Sequence, residues 1–454
     1  MLSPSHIKDV FNRPEREIEV LRPQNETIEA SYTLGDPELY DNAFHIKVVR
    51  NQLTRSIPHF SESIAEELQL GLDLYWGTSN EWKTVRIFEF CRNVIARAAN
   101  RVFVRPVLCR DEYYLEQARQ YALSVFGGAL VIRLFPKFMK PVVGRLVGLK
   151  SKWHASNVEH IILPIVIDRL ENAKKKQVDS EFSWVEPEDA LQWIIEECLK
   201  AGDSKQLNPR LIVKRLLSLS MVSMHSTSFT IANTLIDLFS SSGYTKALEV
   251  IREEIENTLR ESNGAWTKTA VVNLQHIDST IRDSMRCSAF GIAALPRVVA
   301  HPKGIYINRY NIPKGIKLAV AMNQVHYDPL FYSNPTRFDA LRFSRSLSTN
   351  SAPLTETGME DKMRDMNDEA GNPAGSLELS AATLSDRFLS FGYGRHACPG
   401  RFFAVHEMKI LLSLVLRNYD IEPLGKYPAG RHWSRSNFLL SIQPLEPADV
   451  INDE

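Results

Sequence analysis

The sequence predicts a mainly α protein with a small β part, organised as one domain around a long central helix. Three observations carry that prediction. Apolar residues recur at three-to-four spacing through much of residues 111–286. Short β-type segments, "IYINRY" and "KLAVAMN", follow Arg286. No Pro/Gly/Ser-rich linker divides the 454 residues into two apolar cores.

Composition narrows the class. With 44% hydrophobic and 24% charged residues the chain is an ordinary folded protein rather than a disordered one. Its 54 Lys and Arg residues match its 54 Asp and Glu, so global charge points to no nucleic-acid partner. No apolar run approaches the roughly 20 residues of a membrane span, and the polar start "MLSPSHIKDVFNRPEREIEV" carries no signal-peptide pattern. Cys91, Cys109, Cys198, Cys287 and Cys398 are odd in number and widely spaced, which fits free thiols and not a disulfide framework. With no C-x-x-C pair, a structural zinc site is not expected.

In chain order, Asp111–Arg145 reads as amphipathic helix with breaks at "FGG" and "FPKFMKP", and a further helix runs from about Lys152 to Lys175. Residues 208–240 predict a helix of some thirty residues, capped by Asn208 with Pro209 in its first turn. It is apolar almost all round and should cross the core, yet its centre is the polar "MHSTS". Helices over Thr245–Arg260 and about Asn273–Arg286 follow, and the turn "NIPKG" joins the two β-type pieces. Residues 344–386, poor in large apolar residues and rich in Ser, Thr, Asn and acids, read as a flexible surface insertion.

The chemistry concentrates in "FGYGRHACPGR", residues 391–401. Gly392, Gly394 and Gly400 permit positive φ and close approach of the backbone to a bulky object. Cys398 stands just before a helix starting near Arg401, where the helix dipole and nearby arginines favour a thiolate. A nucleophile served by His396 or His406, a redox thiol and a metal ligand are all compatible with this setting. Zinc held by His396, Cys398 and His406 would lack a fourth ligand. Haem iron fits best, because a flat macrocycle needs a glycine-lined shelf and its propionates need cations.

This stretch resembles the haem-binding signature of cytochrome P450 enzymes, F-x-x-G-x-(R/H)-x-C-x-G, at Phe391, Gly394, His396, Cys398 and Gly400. Other segments resemble the family in the right order. "IDSTIRDSMRC" carries Asp283 and Arg286 where the family has E-x-x-R, with an acid one methylene shorter. "NPTRFDALRF" resembles P-x-x-F-x-x-x-R-F and supplies Arg342. The resemblance implies a buried triad of Asp283, Arg286 and Arg342, with the shorter acid accommodated by a small shift or a bridging water. Arg297 in "ALPRVV" matches a strand arginine that binds a haem propionate in the family. In "DNAFHIKVVRNQLTRSI", His45 and Arg50 are further propionate candidates, although the family's W-x-x-x-R is absent. Val222–Thr227 resembles the oxygen-activating stretch of the family's central helix, with His225 in the acid position and Ser226 or Thr227 supplying the alcohol that passes protons to bound dioxygen.

What the resemblance implies is a haem-thiolate monooxygenase over residues 1–454, with haem b (heme b) ligated by Cys398. Electrons would come from NADPH through NADPH-cytochrome P450 reductase. The substrate would be small and apolar, of terpenoid or indole-terpenoid type, in fungal secondary metabolism. Desaturation or ring formation, or an inactive haem-binding remnant, are the alternatives. Fungal members begin with a membrane anchor, a Pro-rich hinge and the first strands; this chain starts where those would end. Family resemblance places the enzyme on the cytosolic face of the endoplasmic reticulum membrane, while an anchorless chain is expected to be soluble.

Overall fold

The structure is a computed structural model and describes residues 1–42, 45–345, 380–424 and 439–445. It is mainly helical with three small sheets. The helices that position the site are α1 (Ile7–Phe11), α2 (Thr54–Tyr75), α3 (Ile87–Phe103), α4 (Glu112–Arg133), α5 (Lys140–Val178), α6 (Ala190–Ala201), α7 (Pro209–Ser240), α8 (Tyr244–Glu261), α9 (Gln275–Cys287) and α10 (Arg401–Asn418).

The central helix α7 is as the sequence predicts. The Arg210 amide donates to Asn208 Oδ1 at 3.0 Å, satisfying one of the donors a helix N-terminus leaves over. Apolar residues on every side of it, such as Ile212, Leu216, Leu219, Ile231 and Leu235, are buried, so α7 threads a core shared with α2, α3 and α10. Burying each such side chain contributes on the order of 1.5–3 kcal/mol.

Two helix expectations change and a third holds. No break occurs at "FGG": α4 continues to Arg133, and a Cβ at Gly128 would stand 2.9 Å from Val147 Cγ1. The glycine lets α5 approach α4 closely rather than ending a helix. The second break, at "FPKFMKP", is real and separates α4 from α5. The pieces expected on either side of residue 150 are one 39-residue helix that accommodates Pro164; nothing between them stops a helix.

The strands also pair differently from expectation. "IYINRY" is itself a hairpin, β4 (Ile305–Ile307) against β5 (Tyr310–Ile312), turning at Asn308 with φ +51. Asn tolerates that left-handed conformation. The segment β6 (Lys317–Val320) pairs instead with β3 (Ala294–Val299), and β1 (Ile18–Glu19) completes that sheet on the other side of β3. Val299, Leu318 and Val320 thereby bury a second apolar cluster with Ile7, Val10 and Phe11 of α1. A third sheet joins β2 (Lys83–Arg86), β8 (Leu439–Pro444) and β7 (Tyr419–Pro423).

Both ends of the expected insertion are packed. Ser344, Ala381 and Ala382 are buried, and the Ala381 amide donates to Asp278 Oδ2 at 3.1 Å. Residues 346–379 of that stretch lie outside the described residues. Among the described residues no helix is long and apolar enough to cross a membrane.

Candidate haem site

The cysteine loop is built by its own backbone. Gly392 and Gly394 take φ of +84 and +68, which reverses the chain twice. The Cys398 amide then donates to Phe391 O at 2.8 Å, and the Ala397 amide donates to Gly394 O at 3.1 Å. Gly400 differs from expectation: its φ is −88, and a Cβ there would meet Val49 Cγ1 at an ordinary 3.6 Å. Gly394 is the demanding position, because an added Cβ would lie 2.8 Å from Asn12 Oδ1 and 2.9 Å from Phe11 O. Gly394→Ala is therefore expected to destabilise the protein by about 1–3 kcal/mol and to weaken haem retention, measurable by denaturant titration and absorbance.

All five cysteines are free; four are buried, and Cys398 is accessible. Its surroundings are nevertheless deep in the protein. Burial raises the thiol pKa, opposed by the Gly400 amide directed at the sulfur and by the Arg401 charge. The helix N-terminus and arginine that the sequence suggested would yield a thiolate are present, but desolvation outweighs them. Metal coordination would supply the missing positive charge, since a coordinating thiol is deprotonated outright.

Behind the loop lies a charge network. Asp283 Oδ1 accepts from Arg286 Nε at 2.6 Å and from Arg342 Nε at 2.9 Å. Its Oδ2 accepts from the Asp339 amide at 2.7 Å. The shorter acid thus reaches both guanidinium groups directly, with no need of a bridging water. Arg286 in turn donates to the carbonyls of His326, Pro335 and Arg337, and Arg342 to those of Ser333 and Arg337. Burial would lower the Arg286 pKa, and its bond to Asp283 reverses this and holds it above the usual range. The network is relayed to the loop by His326, whose Nε2 accepts from the Leu389 amide at 2.9 Å, and by Ser390 Oγ, which donates to Met285 O at 3.1 Å. No sequence signal singled out His326; its role depends on chain segments 63 residues apart meeting.

The cation side of the site holds donors in search of an anion. Arg297 on β3 is buried; Nη1 donates to Pro296 O at 3.0 Å, while Nη2 is buried without a hydrogen-bond partner. Burial pulls its pKa down to about 10. An unpaired buried guanidinium is costly unless an anion meets it, and a haem propionate is an anion of suitable size. Arg50 Nη2 reaches the loop at Arg395 O, 3.4 Å away. His45 lies one helical turn before Val49, the residue packed at Gly400; its Nδ1 is buried and unpartnered, and burial followed by the Arg215 charge lowers its pKa to about 4. His396 Nε2 stands 3.6 Å from Glu15 Oε1, and burial lowers its pKa. The accessible sulfur, the close-packed glycine turn and the orphaned Arg297 donor together fit a haem held by thiolate and propionate contacts.

On α7, Val222, Ser226, Phe229 and Thr230 share one face, and Val222 and Ser226 are accessible although the helix runs through the core. Ser226 Oγ donates to Val222 O at 2.9 Å, and Thr230 Oγ1 donates to Ser226 O at 2.9 Å. Thr227, about 100° further round, is buried. His225 is half-buried at the flank of the open face, edge-on to Phe126 at 6.1 Å; its Nε2 has no hydrogen-bond partner, and burial, then the Arg92 charge, lowers its pKa. Phe229 meets Phe290 edge-to-face at 5.0 Å. Phe290 and Ile292 are 66% and 72% exposed, and they lead directly into β3, whose Leu295 lies 3.5 Å from a Cβ built on Gly392. The open face of α7 is thereby joined, through an apolar segment, to the cysteine loop. Sequence reasoning missed Phe290 and Ile292; their only signal was "SAFGIAALP", apolar yet placed between a helix and a strand.

Known proteins agree with this geometry. A model of the cytochrome P450 family matches residues 130–446. The chain is similar to cytochrome P450 monooxygenase gloP of Glarea lozoyensis, 33% identical over 435 residues, covering 94% of this chain and 77% of that protein. It is 34% identical to cytochrome P450 monooxygenase htyF of Aspergillus rugulosus over 432 residues, covering 93% of this chain and 61% of that protein. It is 31% identical to cytochrome P450 monooxygenase okaG of Penicillium ochrochloron, covering 93% of this chain and 79% of that protein. Among solved structures, the crystal structure of the cytochrome P450DA heme domain superposes with a TM-score of 0.66 at 16% identity, over 98% of this chain and 87% of that one, a likeness of fold. Fold, family match and relatives converge, and the chain belongs to the cytochrome P450 family as a haem-thiolate monooxygenase.

Proposed function

We propose that this monooxygenase inserts one oxygen atom of O2 into an apolar, ring-containing substrate of terpenoid or indole-terpenoid type, in fungal secondary metabolism. Residues 1–454 act as one catalytic domain in this reading, receiving electrons from NADPH through a flavoprotein reductase at the cytosolic face of the endoplasmic reticulum. The observation that carries it is the accessible Cys398 thiol in a loop held from behind by Asp283, Arg286 and Arg342. Cys398 would hold the iron of a haem, and that group when bound would supply the activation of dioxygen.

The chain's own residues do the rest. Arg297 and Arg50 would offer charge to the propionates, and His396 and His45, whose pKa values burial lowers, would offer them neutral N–H donors. Val222, Phe229, Phe290 and Ile292 offer apolar contact to the substrate and exclude water. Ser226, on the open face of α7, would hold a hydroxyl proton at its Oγ on the oxygen side of the site. His225, whose pKa burial lowers, would relay a proton from solvent to that hydroxyl by taking it up at one ring nitrogen and releasing one from the other, with Thr227 held in the core behind.

Reduced, carbon-monoxide-treated protein should show the Soret band of thiolate-ligated haem; a shifted band or no haem would favour the inactive remnant. Incubation with indole-terpenoid candidates, NADPH and a reductase should give an oxygenated product; a dehydrogenated or ring-closed product would reassign the reaction. Ser226→Ala is expected to reduce product formed per NADPH consumed by roughly a hundredfold, the low end for a positioned proton donor, with haem content unchanged. Thr227→Ala should leave that ratio near the parent value.

A further inference from the structure

A series of hydrogen bonds runs into the cysteine loop, and it starts on a side chain. The Cys398 amide donates to Phe391 O at 2.8 Å, and the adjacent Gly392 amide donates to Leu389 O at 2.9 Å. The Leu389 amide has an imidazole for its acceptor, His326 Nε2 at 2.9 Å. Leu389 is 1% exposed and His326 0%, so both groups are shut off from solvent. A buried amide deprived of its acceptor is costly. An imidazole accepts at Nε2 only as the neutral tautomer with its proton on Nδ1.

His326 is itself held firmly. Its ring stacks on Phe388, with centroids 5.6 Å apart and planes 16° apart. Its carbonyl accepts from Arg286 Nη1 at 3.0 Å, and the next residue, Tyr327, donates its hydroxyl to Cys287 O at 2.5 Å. The backbone of His326 is therefore fixed to the end of α9, and its ring to the segment that enters the loop. Two neighbouring ties flank Leu389. Tyr332 donates its hydroxyl to Arg387 O at 2.7 Å, and Ser390 Oγ donates to Met285 O at 3.1 Å. Neither offers the Leu389 amide an acceptor. Gly392, at φ +84, takes its place from Leu389 O, and the Cys398 amide takes its place from Phe391 O one residue earlier. One imidazole nitrogen thus stands at the head of the series that ends at the cysteine.

We propose that His326 is a positioning residue for the reaction: by accepting from Leu389, its Nε2 aligns the loop so that the Cys398 sulfur can ligate haem iron as thiolate. This rests on the reading of Cys398 as the ligand. It differs from the role of Asp283, because what aligns the loop is one acceptor atom and not a countercharge.

The test compares His326→Gln with His326→Leu. Glutamine carries an amide oxygen to about the place of Nε2 and can accept from Leu389, whereas leucine fills similar space with no acceptor. Both are read as reduced, carbon-monoxide-treated protein at equal haem content. In the Leu variant the ratio of thiolate-type to shifted Soret band should fall roughly fivefold or more, the weight of one buried amide left without its acceptor. The Gln variant should restore most of the parent ratio. A merely structural role would lower haem content and melting temperature in both variants without this split. Hydrogen exchange needs no variant: in the parent the Leu389 amide should be protected as strongly as that of Cys398. A parent with the thiolate-type band and a Leu variant with the same ratio overturn the inference. So does a Gln variant no better than Leu, or a Leu389 amide that exchanges freely in the parent. A parent with no thiolate-type band removes the reading of Cys398, and this inference with it.

Discussion

Cys398→Ala is expected to yield a folded protein with no thiolate-type Soret band and with substrate oxidation at background. The sulfur is the accessible thiol among five, and the loop's geometry comes from backbone bonds of Phe391, Gly394 and Ala397 that the substitution leaves intact. Loss of the side chain costs little in packing, because Cys398 is already accessible. The chemical loss is complete, because thiolate donation to iron is what favours O–O cleavage. Absorbance of the reduced, carbon-monoxide-treated variant, read beside its circular dichroism, separates the two effects. An unchanged Soret band would remove Cys398 as ligand, and with it the site assigned here.

Asp283→Ala is expected to be the most destabilising substitution behind the site. Asp283 and Arg286 are both 0% exposed, and the same carboxylate oxygen also meets Arg342. Removing the acid leaves the buried Arg286 guanidinium and the partly buried Arg342 guanidinium without that countercharge, and the Asp339 amide without its acceptor. Breaking a buried pair in this way typically costs about 3–5 kcal/mol. The loss should appear in urea titration and as lowered haem content, since Leu389 and Ser390 of the loop are tethered to the segments this network holds. The family-like Asp283→Glu is not expected to be an improvement. Both oxygens of Asp283 are already bonded at 2.6–2.9 Å, so one more methylene must be fitted into an occupied space, at about 1–3 kcal/mol. An Ala variant with full stability and full haem would show that the loop does not depend on this network.

Local signals were read well from residues alone. Asn208 and Pro209 marked the start of α7 because a cap and a first-turn proline act within a few residues. The D-x-x-R spacing put Asp283 and Arg286 on one helix face for the same reason. The cysteine loop was legible because glycine turns and a pre-helical thiol are also local. Errors arose where a residue type has two uses. Glycines in "FGG" are helix breakers by propensity, yet Gly128 is a contact point between α4 and α5. "IYINRY" contains a turn residue, Asn308, hidden among apolar ones.

By itself the sequence determined the helical class, the long central helix, the position of the thiol and the pairing face of Asp283 and Arg286, all properties of residue type at short spacing, while Arg342 came from family resemblance alone. Only the tertiary structure decided which face of α7 is open, so that Ser226 is accessible and Thr227 is buried. It also decided that Phe290 and Ile292 join that face to the loop, that Arg297 keeps an unpaired donor, and that burial pushes the Cys398 thiol pKa up against the Gly400 amide and the Arg401 charge. The physical reason is that desolvation and the pairing of polar groups depend on what distant segments bring alongside, and no spacing along one chain encodes that distance directly.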